Sequence, residues 1–281
     1  MFNQNIKTPV NIPVSKIHPF EGNPYKVQDN DEMNNLIGSI QEQGILTPII
    51  IRPIENTDEY EVISGHRRLH AIVKAGMKEV PAFIYAINRD EAAIMLVDSN
   101  LHREHILPSE KAFAYKLKLE AMKHQGITCG QVGHKSRDEI SDTDSGRQIQ
   151  RYIRLTYLIP ELLDLVDEEK IALTPAVELS YLTDEEQYAL LGSIEVEDRT
   201  PSLSQAVRFK KLSQTGNLSD DDIETIMQED KANQKPMFKV SMEKLQEIAP
   251  RVKDKDFEDF VLKACEHYYR YLLRQRDRDS R

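Results

Sequence analysis

The apolar pattern of the chain changes character once, near residue 108, and this limits the fold more than any other feature. Before that point, runs rich in β-branched residues alternate with segments of helical periodicity; after it, helical patterns dominate. Residues 45-ILTPIIIRPI-54, 59–63 and 80-VPAFIYA-86 read as strands, with Pro48 and Pro53 confining the first to an edge or an end. Residues 31–43 put Met33, Leu36, Ile37 and Ile40 on one helical face, with Asn30 or Asp31 to cap it and Gly44 to end it. Residues 67–75, stopped by Gly76, 89–99 and 109–124, opened by Pro108, complete the mixed half. Helices are predicted over 137–142, 146–158, 160–169, 175–181, 203–213 and 255–275, with a strand over 237–241. The expected fold class is α+β at the N-terminus, with a small mixed sheet and flanking helices, then an all-helical domain and a short α/β module. The boundaries read 1–12 for a loose tail, 13–108, 109–215, an acidic linker at 216–235, and 236–281.

A chain of 281 residues accommodates about two domains. Charged residues make up 30%, mean hydropathy is -0.54, and no run approaches the ~20 apolar residues of a membrane span. Cys129 and Cys265 stand far apart and outside any CxxC, which fits a reducing cytoplasm and argues against a thiolate zinc site. The net charge of -10 argues against non-specific coating of nucleic acid, but the charge is uneven. Residues 145-SGRQIQRYIRLTYLIP-160 hold three arginines and no acid, whereas 219-SDDDIETIMQED-230 holds six acids and no base. Local charge decides whether DNA can dock.

At 61-EVISGHRR-68 a strand breaks at a glycine and a helix follows. Glycine lets a ligand approach the backbone, helix-start amides favour an anion, and arginine forks match phosphate oxygens. The segment therefore can be read as a phosphate clasp, but on these residues alone a solvated helix start with two surface arginines is the better reading. A second polar cluster, Asn100, His102, Arg103 and Glu104, precedes Pro108; Asn100 is the candidate ligand for a metal or a phosphate there. His66 and His70 share a helical face at i, i+4, but no third metal ligand accompanies them, so ordinary surface or partly buried histidines are the better reading.

The order 45-ILTPIIIRP-53, 62-VISGHRRLHAIVKAG-76, 80-VPAFI-84 and 99-SNLHREHILPSEKAFAY-115 resembles the ParB-like partition family, whose motifs are a QPIVVR strand, a GERR box and an ENLQRE box. The likeness covers roughly residues 13–125. It implies a domain that binds CTP with magnesium and closes two protomers into a clamp around double-stranded DNA. Carried over residue by residue, Thr47, Pro48, Ile49 and Arg52 lie near cytosine and ribose. Gly65, Arg67 and Arg68 cradle phosphates, while Asn100 and Arg103 complete the site. The chain departs from the motifs at His66 and Ser99, where the family carries glutamates. Magnesium prefers oxygen anions, so the departures predict weak or absent CTP hydrolysis.

Residues 136-SRDEISDTDSGRQIQRYIRLTYL-158 read as helix, turn, helix, though 141-SDTDSG-146 is a short polar turn. Ser145 caps the second helix. Arg147, Gln148 and Arg151 are the candidates for reading base edges, with Gln150 on the same polar surface and Arg154 directed to phosphate. The resemblance places a helix-turn-helix here and a dimerisation element at the C-terminus, where Phe257, Phe260, Val261, Ala264, Tyr268 and Leu272 form an apolar face before an arginine-rich end. It further implies a homodimer, a nucleoid-associated protein of the cytoplasm and a ParA-type ATPase partner, although residues 1–12 offer only Lys7 for the last. Two other functions remain open at this point. One is a transcriptional regulator that has lost nucleotide binding; the other is a nucleotide-dependent enzyme, such as a small-molecule kinase, on the same scaffold.

Overall fold

The computed structural model describes residues 8–103, 105–125, 144–229, 249, 252 and 257–279, with side chains omitted for 257–259 and 272–279. The predicted elements at 137–142 and 237–241, the turn at 141–143, Glu104 and Cys129 lie outside these residues. The chain divides into a unit ending at Glu229 and one beginning at Asp230.

The first unit contains a five-stranded mixed sheet of β1 (Val10–Pro13), β2 (Ile17–His18), β3 (Ile49–Pro53), β4 (Tyr60–Ser64) and β5 (Glu79–Ile84). Their order is β1-β5-β3-β4-β2. The β3 pairings are antiparallel to β4 and parallel to β5, so this run of isoleucines is the central strand, and the two prolines stand at its ends. Ile49, Ile51 and Val62 are fully buried on one face with Leu69, Ala71 and Ile72 of α2 (His66–Lys74) and Met33 and Ile40 of α1 (Asp31–Gln43). Ile63 turns to the other face, onto Ala92, Ala93, Leu96 and Val97 of α3 (Arg89–Leu101). The alternation of Val62 and Ile63 is the period of two that a strand imposes. Asn30 caps α1 by accepting from the Met33 amide at 3.0 Å, and Gly44 ends it at a φ of 71°.

A buried ion pair ties the central strands. Arg52 donates through Nε and Nη2 to Glu61 Oε2, at 2.8 and 2.7 Å, and the other Glu61 oxygen accepts from the Glu21 amide at 2.9 Å. The pair therefore also anchors the loop between β2 and α1.

Helix α4 (Pro108–His124) belongs to two cores. Ala114 and Ala121 join the α3 side of the sheet, while Ala112 joins the helical core. Its start is held by Asp167, which accepts from the Ser109 amide at 2.9 Å and from its hydroxyl. That core is built by α5 (Gly146–Leu155), α6 (Pro160–Asp167), α7 (Leu173–Leu179), α8 (Asp184–Glu197), α9 (Leu203–Gln214) and α10 (Asp220–Gln228). Leu155, Leu162, Leu179, Leu190 and Phe209 are fully buried in it.

Three expectations need correction. Residues 10–12 are not part of a loose tail: β1 pairs antiparallel with β5, Val10 opposite Ala82 and Ile12 opposite Val80. The acidic stretch read as a linker contains α10, whose Ser219 and Asp222 exchange capping bonds. Its three aspartates sit at the positive end of the helix dipole, and Ile223, Ile226 and Met227 are buried. Helix α8, absent from the sequence reading, starts at a Thr183–Glu186 capping box.

In the second unit, α11 (Phe257–Asp279) is a helix of 23 residues on which Leu262, Tyr268, Tyr269 and Tyr271 are exposed. Among the described residues no helix is long and apolar enough to cross a membrane.

Removing one partner of a buried ion pair leaves the other charge uncompensated. Glu61→Ala is therefore expected to lower the unfolding free energy by about 3–5 kcal/mol, read as a lower urea midpoint. An unchanged midpoint would show that the Arg52 guanidinium reaches solvent when Glu61 is gone.

Candidate functional site

Gly65 joins β4 to α2 with a φ of 104°, a left-handed conformation that favours glycine. A β-carbon there would lie 2.8 Å from Ile49 Cγ2 and 3.2 Å from Ile49 Cβ. Ile49 thus acts from inside the core, as the floor on which the glycine rests. The tight turn brings the start of α2 against the start of β3. Arg68 Nη1 donates to the carbonyls of Thr47 and Pro48, the second at 2.8 Å, which fixes its guanidinium at the mouth of the turn.

A cavity of about 570 Å³ opens beside this junction. Ser64, Gly65, His66, Arg67, Arg68 and Arg103 line it, with Glu32, Asn35 and Leu36 of α1 opposite. Three guanidiniums and the amide end of α2 thus border one space, an arrangement that attracts polyanions. Arg67 holds Glu32 at 2.9 Å, and the Arg103 guanidinium lies 5.6 Å from the Tyr25 ring centroid. Of these α1 residues, Glu32 and Asn35 were not singled out in the sequence, and Leu36 was read only as part of an apolar helical face. Glu32 has no local mark beyond its place in a first helical turn, and only the packing of α1 on α2 brings it here.

The remaining candidates separate. Ile49 is buried, whereas Thr47 is exposed and offers its carbonyl to Arg68. Arg52 does not line the cavity: it is buried and donates through Nε and Nη2 to Glu61. Its expected place near a base and sugar gives way to a structural role. Asn100 is buried, and its amide donates to the Leu96 carbonyl at 2.7 Å; the Ser99 hydroxyl donates to the same carbonyl at 3.0 Å. Neither lines the cavity.

His66 Nε2 accepts from the Phe20 amide at 3.4 Å. Burial, helped by the nearby Arg103 charge, pushes its imidazole down from 6.5 to about 4. His70 is turned away to Asp29, at 2.8 Å, which also holds Lys74. The two histidines therefore have separate partners, and among the described residues there is no group of three or more His, Cys, Asp or Glu placed to hold a metal ion.

On α5, Ser145 accepts from the Gln148 amide, and Gly146, Ile149 and Leu155 are buried. Arg147 is exposed at the amino end, with Gln148 and Gln150 half-buried. Arg151 reaches Gln148 at 3.2 Å and the Thr174 hydroxyl on α7. Arg154 departs from its expected phosphate role. It donates to the Ser180 hydroxyl and carbonyl, at 3.0 and 2.7 Å, and lies 4.5 and 3.9 Å from the ring centroids of Tyr157 and Tyr181. This arginine fastens α5 to the end of α7.

Residues 2–101 match the ParB N-terminal domain family. A chromosome-partitioning protein Spo0J of Thermus thermophilus is 32% identical over 162 residues, 58% of this chain and 56% of that one. A nucleoid occlusion protein of Listeria monocytogenes is 33% identical over 131 residues, 47% and 45% of the two chains. The chain spans about half the length of these curated relatives. A crystal structure of the C-terminally truncated partitioning protein ParB from Caulobacter crescentus, complexed to the centromeric parS site, is similar over 78% of this chain and 98% of that one, at 19% identity and a TM-score of 0.42.

Two outcomes follow from the geometry of the junction. Gly65→Ala forces a strained φ and a clash with Ile49, and is expected to cost about 1–3 kcal/mol of stability in urea denaturation. Wild-type stability in that variant would remove the steric argument. His66 binds a proton more weakly in the folded chain than in the unfolded one, so stability is full above pH 6.5 and falls as pH drops towards 4. The loss is of order 3 kcal/mol once the folded-state midpoint is passed. An NMR titration should find the His66 ring midpoint near 4; a midpoint near 6.5 would show that the ring is hydrated.

Proposed function

We propose that the chain is a DNA-binding partition protein whose N-terminal domain binds CTP, on the premise that residues 2–101 match the ParB N-terminal domain family. The observation that carries this reading is the cavity bordered by Gly65, Arg67, Arg68 and Arg103 at the amide end of α2. The phosphates lie against that helix end. Arg67 and Arg103 meet them from the sides, and Arg68, fixed on the Thr47 and Pro48 carbonyls, meets them from the turn. CTP is the nucleotide that the resemblance of 64-SGHRR-68 and 99-SNLHRE-104 implies. With His66 and Ser99 at the two glutamate positions, the chain binds CTP far better than it hydrolyses it.

Double-stranded DNA is read by α5. Arg147 at its exposed amino end, with Gln148 and Arg151 behind it, suits base edges in a major groove. The tyrosine-rich surface of α11 pairs two copies into a homodimer, which then associates with the nucleoid in the cytoplasm. A ParA-type ATPase is the further partner that the resemblance implies. The second reading, a sequence-specific regulator that binds no nucleotide, draws on the same two glutamate replacements.

Isothermal titration of CTP, ATP, GTP and UTP is expected to give binding selective for CTP, weakened at least about tenfold in Arg68→Ala. Absence of any nucleotide binding, with and without DNA, would leave the regulator. On a DNA site selected from a random library, Arg147→Ala is expected to cost about 1–3 kcal/mol of binding and to relax the preference at one base pair. Equal binding by wild type and Arg147→Ala would remove α5 from the interface.

A further inference from the structure

We infer that this chain takes up the phosphates of its nucleotide without a divalent cation, their charge being met by arginines alone. The inference rests on the nucleotide reading above and deepens it. Magnesium that accompanies a polyphosphate is ordinarily held by one or two carboxylates, with water and phosphate filling its octahedron. Among the described residues that line the cavity only Glu32 is a carboxylate, and Arg67 holds it at 2.9 Å. A cation drawing on Glu32 would have to break that pair and sit among three guanidiniums.

The other positions are no better suited. His66 stands where the motif has a glutamate, and its Nε2 accepts the Phe20 amide proton at 3.4 Å. A neutral ring that accepts at Nε2 carries its proton on Nδ1. Neither nitrogen then offers a lone pair to a metal, whereas Nδ1–H can donate to a phosphate oxygen. Ser99 and Asn100 both donate to the Leu96 carbonyl inside α3, and neither lines the cavity. Among the described residues the donor set therefore does not fit magnesium, contrary to what the family resemblance implies, and it fits a bare polyphosphate.

The test is calorimetric titration of CTP into the full chain, once in excess magnesium and once in EDTA. The two dissociation constants are expected to agree within about threefold; a loss of about tenfold or more in EDTA overturns the inference. His66→Glu supplies the missing carboxylate. It is expected to bind weakly in EDTA and to recover in magnesium, and a variant indifferent to magnesium overturns the assignment to His66. Its thermal melt reports whether it folds, and the wild-type comparison stands without it. Absence of binding in both buffers defeats the nucleotide reading and this inference with it, whereas magnesium-dependent binding defeats this inference alone.

Discussion

The contact between Gly65 and Ile49 sets the terms for everything around it. With no room for a β-carbon beneath it, the chain can leave β4 only through a glycine in the left-handed region. The turn is then tight enough for α2 to begin against the start of β3. Its first amides face outward, and Arg68 reaches back to the carbonyls of Thr47 and Pro48. A bulkier junction would lengthen the loop and separate these groups. The core side chain Ile49 and the surface arginines are therefore parts of one steric arrangement, although only the arginines are exposed enough to meet a ligand.

Arginine has three distinct roles in this chain, and residue type alone does not separate them. Arg52 and Arg154 face inward, one on Glu61 between central strands and the other on Ser180 between two tyrosine rings. Arg67, Arg68 and Arg103 border the cavity. Arg147 is exposed at a helix start. A guanidinium is always charged and rich in donors, so each site depends on what lies opposite: a carboxylate, a carbonyl, a ring or open solvent. The buried acceptor decides which arginines remain available to an anion.

That distinction marks the limit of what could be read from the sequence. Elements with explicit punctuation were legible: α1 between Asn30 and Gly44, α2 after Gly65, α4 after Pro108. The isoleucine run was recognised as a strand, and its prolines mark its ends. Elements whose existence depends on distant partners were not legible. The β1 strand is four residues that become a strand only by pairing with β5 across almost seventy positions of sequence. The aspartates of α10 look like a solvated charge run until its three apolar residues find a core. Gly65, Arg67, Arg68 and Arg103 border one cavity. Glu32 was missed and Arg52 misassigned because both depend on which side chain stands across the space.

The charge distribution shows why a net charge of -10 says little about partners. Some acids are locally occupied. Asp220, Asp221 and Asp222 sit at the start of α10, Asp167 holds the start of α4, and Glu61 compensates Arg52. At the cavity the balance reverses, since three guanidiniums face one carboxylate that is itself paired. Screening confines each of these fields to roughly 8–10 Å in physiological salt, so an approaching phosphate responds to the cavity far more than to the distant acids. His66 fits the same logic. A neutral ring, kept so by burial and by Arg103, adds no charge of either sign and leaves the arginines to set the potential. A glutamate at that position would cancel part of the field unless a cation restored it. The substitution thus couples two properties that are usually discussed apart, the sign of the site and its need for a metal.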